Sequence, residues 1–525
     1  MDNKKTKDMN SAFEFIGICL ENGNYDQGLE TLQALARSYT KMSIPMYLNL
    51  GGMYIDYGQS LQKEDLIIKG LSYLTNLHAL DKSISNEAIY NYNIANGYLQ
   101  LFSTKYGKKR KKLKPFTDYK ELEIAKKYYQ KAIQLNPTPQ LYTNYGNLLD
   151  TLGRIFEAIQ YYKKALAMDP NFGMARGNIA IALKTLADIS TADKLGIYQQ
   201  AYKNLTRSLE LEQSVLDFGG KYSLEQFRIH KKKLEEKFKE KPSILTKTIT
   251  HKKYNTNGLS DFEKFYYKYS IEHDMYLNLH IDHKDCIAAI TDDIFISLVT
   301  SVKDTKSFYR LGKKINEIKE SYATARLLLI QSQFRTSNLS NISKQTMLIY
   351  PLDYSSSNIY LGLLKASFKE CFNLLDKIIY FLDDYLKLKI AKKKRIDYRT
   401  FWYEGQNSRS GLIAPKLLKQ ENYLLYGIYS MMIDLFSDEY RHIRNHLTHL
   451  NVYLYYPEAD PEIIDGTDHI YIDDFTELNN KLFEKLKMII ITLIHYVNVS
   501  ENAKKSSSKG LIAPLAVSTE QFLDI

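Results

Sequence analysis

Apolar residues recur every three or four positions along most of the chain, a spacing that predicts α-helices. In the second half, four such stripes are long enough to predict four amphipathic helices. The stripes are Leu311, Ile315, Ile318, Tyr322 and Leu329; Leu364, Phe368, Cys371, Leu375, Ile378, Leu382 and Leu386; Leu425, Ile428, Met432 and Leu435; and Leu482, Leu486, Ile489, Leu493 and Tyr496. No sustained apolar–polar alternation of period two is present. The pattern predicts an all-α chain whose second half is a helical bundle.

Residues 139–171 carry a second pattern, in which small and large residues occupy fixed positions of a helix–turn–helix unit. Gly153 marks the turn, and Asp169-Pro170 ends the second helix. The remaining positions are Tyr142, Tyr145, Gly146 and Leu149 in the first helix, and Ala158, Tyr162 and Ala165 in the second. Small residues let two antiparallel helices approach closely, and large residues fill the groove between them.

This unit resembles the tetratricopeptide repeat (TPR), and neighbouring segments share its frame with defects. Upstream, Ala125, Tyr129 and Ala132 predict a second helix of the same type, whose first helix is expected over 86–101. The same spacing recurs in residues 47–77 and 179–208. We expect roughly four to six units over residues 10–215. The resemblance implies an N-terminal helical-repeat solenoid whose concave face binds a protein or peptide partner.

A polar, lysine-rich stretch over residues 216–260 predicts a linker or connecting helix between two domains. We therefore expect a repeat array at 1–215, a bundle at 261–500 and a C-terminal tail at 501–525. The three cysteines are far apart in the sequence and form no CxxC pair. This spacing argues against a disulfide framework and is typical of proteins in a reducing cytoplasm. The most apolar run, 488–497, is about half the roughly 20 residues of a membrane span, and no signal peptide is predicted.

The net charge of +11 is concentrated in lysine-rich runs. Such an excess suits a polyanionic partner such as RNA, although each single run is also typical of a solvated loop. The candidate RNA-binding residues are Lys108, Lys109, Arg110, Lys111, Lys393, Lys394 and Arg395.

The densest group of proton-transferring side chains lies in residues 440–449, with the sequence YRHIRNHLTH. Ile443, Leu447 and Leu450 have the spacing of a buried helix face. The histidines beside this face are His442, His446 and His449. Three interpretations stay open: a solvated basic helix edge, a metal site, or acid–base catalysis on a phosphodiester. No acidic or cysteine ligand accompanies the histidines at a fixed spacing, so we predict neither a metal nor a cofactor.

The segment Arg444-Asn445-His446-Leu447-Thr448-His449 resembles the Arg–polar–x3–His signature of HEPN-domain ribonucleases. The resemblance covers roughly residues 265–500, with the signature between a third helix at 423–437 and a last helix at 475–498. It implies metal-independent RNA cleavage, in which the ribose 2′-OH attacks the adjacent phosphate. Carried over, His449 is the general base or acid, Arg444 binds the phosphate, and Asn445 orients the reacting group or the substrate.

Two features of the spacing affect this assignment. Arg441 and His446 are separated by the same number of residues, so an offset frame, with His442 in support, stays open. Residues five apart on a regular helix point about 140° away from each other, so one motif does not converge on a phosphate alone. Because family members dimerise across a shared cleft, we expect a homodimer through the C-terminal bundle.

With a TPR array in front, the architecture resembles HEPN proteins of bacterial anti-phage defence. We therefore expect a toxin-like ribonuclease of the abortive-infection kind, whose N-terminal array senses a protein partner or is restrained by one. The alternative is a non-catalytic TPR scaffold protein that binds a protein or peptide. A TPR regulator of transcription is a third hypothesis, although no helix-turn-helix signal is present.

Overall fold

The computed structural model describes residues 2–38, 43–107, 113–190, 193–247, 253–280, 286–301, 305–349, 352–391, 395–436, 438–459, 469–507 and 512–514. The chain divides into two compact units, one formed by residues 1–179 and 205–229 and the other by residues 180–204 and 230–525. This division interleaves the two parts of the chain. One limit between the units, at 229/230, falls inside the stretch 216–260, and the limits at 179/180 and 204/205 fall inside the expected repeat array. The four domain ranges stay a prediction.

The helices of the first part of the chain follow the repeat spacing. They are α1 (Asp2–Glu21), α2 (Tyr25–Ser38), α3 (Ile44–Leu61), α4 (Glu64–Leu80), α5 (Ala88–Tyr106), α6 (Pro115–Asp118), α7 (Lys120–Leu135), α8 (Pro139–Thr151), α9 (Ile155–Met168), α10 (Gly173–Leu186), α11 (Lys194–Glu210) and α12 (Glu212–Lys237). Within the first unit, α1 packs on α2, α3 on α4, α5 on α7, and α8 on α9. The limits between the two units fall inside α10, α11 and α12.

The α8–α9 pair shows why the small residues are required. Thr138 caps α8 by accepting a hydrogen bond from the backbone N–H of Leu141, and Gly153 turns the chain with a φ of 82°. A Cβ at Gly146 would lie 2.4 Å from the ring of Tyr162, so only glycine lets α9 approach this closely. The signature positions Tyr145, Leu149, Ala158, Tyr162 and Ala165 are all buried. The predicted repeat is confirmed here.

The α3–α4 pair uses the same device. A Cβ at Gly70 would lie 2.6 Å from the backbone oxygen of Gly51, and one at Gly51 would lie 2.7 Å from Leu74. The first helix expected over 86–101 is α5, which packs on α7, where Ala125, Tyr129 and Ala132 are buried.

The second part of the chain forms the bundle. Its helices are α13 (Asp261–Glu272), α14 (Thr305–Gln333), α15 (Ser337–Gln345), α16 (Ile359–Tyr385), α17 (Pro415–Leu418), α18 (Tyr423–Asp434), α19 (Asp438–His449) and α20 (Ile472–Ser507). Helix α16 packs against α14, α19 and α20, and α18 packs against α20. The four predicted stripes lie on α14, α16, α18 and α20 and face the core, with Leu386 and Leu435 one residue beyond the ends of α16 and α18. Leu311 and Leu386, at the stripe ends, are half-buried. The predicted bundle is confirmed.

Short strands accompany the helices, which the apolar pattern did not indicate. β2 (Ser355–Ser356) pairs antiparallel with β3 (Tyr453–Tyr455), which pairs in parallel with β4 (His469–Tyr471). β1 (Val299–Ser301) pairs antiparallel with β5 (Ile512–Pro514). Strands of two or three residues are too short to show an alternating pattern.

Among the described residues, no helix combines the length and the apolar character that a membrane span requires.

Candidate functional site

The predicted motif lies on α19, a regular helix between α18 and β3. Tyr440 and Ile443 are buried on its inner side, where α19 packs against α16. Leu450 was expected on the same buried face, but it is 63% exposed. That prediction was wrong because the helix ends at His449 and the chain then turns into β3, so Leu450 is no longer on a helical face.

Arg444 is half-buried, and its guanidinium is linked to the neighbouring amide. Its Nη1 donates a hydrogen bond to Oδ1 of Asn445 at 3.2 Å, and its backbone oxygen accepts one from the Thr448 hydroxyl at 2.8 Å. The first bond leaves other guanidinium N–H groups to bind a phosphate oxygen. The polar residue that follows the arginine therefore restricts the orientation of the arginine side chain.

A carboxyl group of α16 lies in the electrostatic field of Arg444. Burial raises the pKa of Asp376 to about 6, against the opposing influence of Arg444, and Asp376 Oδ1 accepts a 2.8 Å hydrogen bond from the backbone N–H of Tyr398. Burial also raises the pKa of Tyr398 to about 12, again opposed by Arg444. Sequence reasoning missed Asp376 because it lies on another helix and belongs to no local motif.

The histidines of α19 differ in their surroundings. His442 and His446 are half-buried, with ring centroids 6.1 Å apart and ring planes at 85° to each other, so the structure brings these two together. His449 is exposed at the last residue of the helix. Because α19 is a regular helix, Arg444 and His449 of one chain point about 140° apart. The same angle separates Arg441, which is exposed, from the half-buried His446.

A second polar group follows α19 on the small sheet and was missed from the sequence. The Tyr455 hydroxyl lies 2.9 Å from Nδ1 of His469 and donates to Oδ2 of Asp353 at 3.4 Å. Asp353 also accepts two hydrogen bonds from Ser355, which lower the pKa of its carboxyl. These residues are far apart in sequence, and only the pairing of β2, β3 and β4 joins them.

The structure says less about the predicted RNA-binding residues, the cysteines and possible metal ligands. Of the predicted RNA-binding residues, Arg395 is exposed. The others, Lys108, Lys109, Arg110, Lys111, Lys393 and Lys394, lie outside the described residues. Cys19, Cys286 and Cys371 are buried. Within the described ranges, His, Cys, Asp and Glu side chains do not gather in threes in a way that could hold a metal ion.

Comparison with known proteins identifies the two parts of the chain. Residues 302–500 match the family described as LA2681-like HEPN, and residues 120–139 and 139–172 match the tetratricopeptide repeat. The predicted combination of TPR repeats with a HEPN domain is therefore confirmed. The HEPN match includes the whole of α19 and the sheet that follows it.

Similarity to solved structures is weak. The crystal structure of MamA protein is 20% identical, with a TM-score of 0.25 over 40% of this chain and 95% of MamA. PilF of Pseudomonas aeruginosa is 15% identical, with a TM-score of 0.29 over 45% of this chain and 99% of PilF. No curated protein matches the chain significantly.

Proposed function

We propose that this chain is a metal-independent endoribonuclease of the HEPN type, controlled by its TPR array. The observation that carries the proposal is the polar motif on the surface of α19, inside the part of the chain that matches a HEPN domain. A TPR array is a protein-interaction scaffold, so the trigger or inhibitor is a protein or peptide. We further propose that the chain is a toxin-like effector of cytoplasmic anti-phage defence.

The proposed reaction is an internal transesterification of RNA. A histidine takes the proton of the ribose 2′-OH, whose oxygen attacks the adjacent phosphorus, while the bond to the 5′-oxygen breaks and that oxygen gains a proton. The products are a 2′,3′-cyclic phosphate and a 5′-OH. His449 transfers one of these protons, Arg444 stabilises the charge on the phosphorane, and Asn445 orients the guanidinium through their hydrogen bond.

We propose that two chains share one active cleft through their C-terminal bundles. Arg444 and His449 of one α19 diverge, so a single phosphate is reached by both only if the second comes from another copy. In such a dimer, the exposed position of His449 at the helix end lets it reach across the cleft.

The test is the cleavage of total RNA by the purified full-length chain in EDTA, comparing wild type with Arg444→Ala and His449→Ala. We expect the wild type to cleave and both variants to lose cleavage. Arg409→Ala and His78→Ala are matched controls, because both side chains are exposed and lie outside α19. A wild type that leaves RNA intact with and without its cellular partners contradicts the proposal. Cleavage that requires a divalent metal instead favours the metal-site interpretation.

One observation favours a non-catalytic interaction protein as the second candidate. The connection between α15 and β2 holds Met347 at 98% exposure and Ile349 at 91%, with Leu352 also exposed. Adjacent exposed apolar side chains of this size are typical of surfaces that bind another protein. Under this alternative, we expect Ile349→Asp to abolish binding of the partner protein and His449→Ala to leave that binding intact.

A further inference from the structure

The surface next to α19 carries an aromatic group that the proposed chemistry does not use. β3 begins four residues after His449, so the Cα atoms of His449 and Tyr453 are at most roughly 14 Å apart. Tyr453 and His469 are opposite each other in the parallel β3–β4 register, which directs their side chains to the same face of the sheet. This face, formed by Tyr453, Tyr455 and His469, is called the aromatic face below.

The rings of the aromatic face are held in a defined arrangement. The His469 ring lies 5.2 Å from that of Tyr453 at an interplanar angle of 29°, and 5.6 Å from that of Tyr455 at 33°. An ionised carboxylate only accepts hydrogen bonds, so the Tyr455 hydroxyl donates to Asp353 and accepts from Nδ1–H of His469. The imidazole is thereby fixed in orientation before any ligand arrives, which reduces the entropy lost on binding.

Backbone strain accompanies this arrangement. Leu352 and Tyr354, on either side of Asp353, both have a φ of 63°, a conformation that side chains with a Cβ rarely adopt. Asp353 nevertheless keeps both its bonds to Ser355 and its contact with Tyr455. Strain of this kind persists where the surrounding contacts over-determine the backbone. Asp353 is therefore held by its bonds to Ser355, and the Tyr455 hydroxyl connects it to His469.

One ring of this face is open to solvent, and positive charge lies beside it. Tyr453 is 44% exposed, whereas Tyr455 is buried and supports His469 from within. Lys365 of α16 donates a 2.6 Å hydrogen bond to the backbone oxygen of Val452, at the entrance to β3, and Lys369 is exposed one turn further along α16. Together with Arg444, these cations favour a polyanionic ligand over a neutral peptide.

We propose that the aromatic face binds an unpaired nucleobase of the RNA substrate, stacked on the exposed ring of Tyr453, close to the phosphate held at α19. The proposal rests on the proposed ribonuclease function for the identity of the substrate. It adds that the substrate is single-stranded at this point, since a base within a duplex is not available for stacking on a side chain. Base stacking tolerates any sequence, so the face orients the strand without selecting one base.

The experiment measures binding separately from cleavage. A fluorescent single-stranded oligonucleotide with 2′-O-methyl riboses cannot be cleaved by 2′-OH attack, and its anisotropy reports binding to the full-length chain. We expect Tyr453→Ala to weaken binding roughly 5- to 150-fold, and Tyr453→Phe, which keeps the ring, to stay within about twofold of wild type. Tyr309→Ala is the matched control, because Tyr309 is 59% exposed on α14 of the same unit; its affinity should equal that of the wild type.

An abasic strand of the same length separates stacking from charge. Tyr453→Ala should leave its affinity unchanged, because that strand offers phosphates but no bases. The inference is overturned if Tyr453→Ala binds the base-bearing strand as the wild type does, if it weakens both strands equally, or if the wild type binds neither. If His449→Ala loses cleavage while Tyr453→Ala binds RNA as the wild type does, the ribonuclease proposal is supported and base binding by the aromatic face is refuted. If the wild type cleaves no RNA but its RNA binding depends on Tyr453, the ribonuclease proposal is refuted and base binding by the aromatic face is supported.

Discussion

The α8–α9 pair and α19 both have a clear sequence pattern, but the pattern in the pair consists of buried packing residues and the pattern in α19 consists largely of polar surface residues. In the pair, Gly146 and Tyr162 are buried against each other, and the pattern records how closely two helices approach. Among the α19 side chains whose burial the structure describes, Tyr440 and Ile443 are buried, while His449 is exposed. A change in the first region should therefore alter the free energy of unfolding, and a change in the second should alter chemistry at constant stability.

The largest expected effect is on catalysis and concerns which arginine–histidine frame is used. Loss of a general acid or base lowers rates roughly 10²- to 10⁴-fold, so we expect His449→Ala to lower the cleavage rate by this amount. The melting temperature should not change, because His449 is exposed at a helix end. Single-turnover cleavage of a short RNA measures the rate. We expect a smaller loss for His446→Ala; a larger loss there than for His449→Ala would assign the site to Arg441 and His446 instead.

The next effect is on stability and concerns helix approach in the α3–α4 pair. A methyl group at Gly70 would lie 2.6 Å from the Gly51 backbone oxygen, which cannot move without shifting α3. We expect Gly70→Ala to destabilise the pair by about 1–3 kcal/mol, measured as faster hydrogen exchange of α3 and α4 amides.

The matched control for that change is Gly52→Ala. A methyl group there would lie 3.7 Å from its nearest neighbour, Nδ2 of Asn93, which is ordinary contact. Alanine is favoured over glycine in a helix by up to about 1 kcal/mol, so exchange should be unchanged or slower. Equal loss in both variants would show that the close approach at Gly70 is not the cause.

The same contrast explains how far the sequence alone predicts this molecule. Stripes and small-residue positions reflect the local geometry of helices, so the helix pairs and the bundle helices could be predicted from them. The motif on α19 is also local and could be found, but its surroundings come from other elements. Asp376 reaches the field of Arg444 through the packing of α16 on α19, and His469 meets Tyr455 and Asp353 only through strands of two or three residues. Such contacts between distant segments leave no periodic signal in the sequence.

A pH experiment tests whether Asp376, which lies on α16 behind α19, has a raised pKa in the folded chain. The pKa of Asp376, about 6, lies above its ordinary value of 3.8, so the folded chain keeps a proton that the unfolded chain releases. The contribution of Asp376 to the free energy of unfolding should therefore fall as pH rises from about 4 to about 6, and stay at the lower value above that. Asp376→Asn is neutral throughout and should lose this dependence, which makes it more stable than wild type at pH 7.5 by about 1–2 kcal/mol.

The single tryptophan offers the measurement. Trp402 is fully buried in the second unit, and its Nε1 donates a hydrogen bond to the backbone oxygen of Tyr398, whose own N–H donates to Asp376. Its fluorescence during urea unfolding therefore reports on the neighbourhood of Asp376. An Asn variant that follows the wild-type pH profile would show that another group titrates there.

The smallest expected effect is on stability, and it distinguishes Tyr162, which is buried between α8 and α9, from Tyr453 on the surface. The Tyr162 hydroxyl donates a 3.0 Å hydrogen bond to Oδ1 of Asn147, which also accepts one from Nδ2 of Asn178. Tyr162→Phe removes one of these bonds and keeps the ring against Gly146, so we expect a loss of about 0.5–1.5 kcal/mol, seen as faster amide exchange in α8 and α9. Tyr453→Phe should leave exchange unchanged. If Tyr162→Phe had no effect, the hydroxyl would add nothing to the packing of the ring, and the α8–α9 pair would depend on the close approach at Gly146 alone.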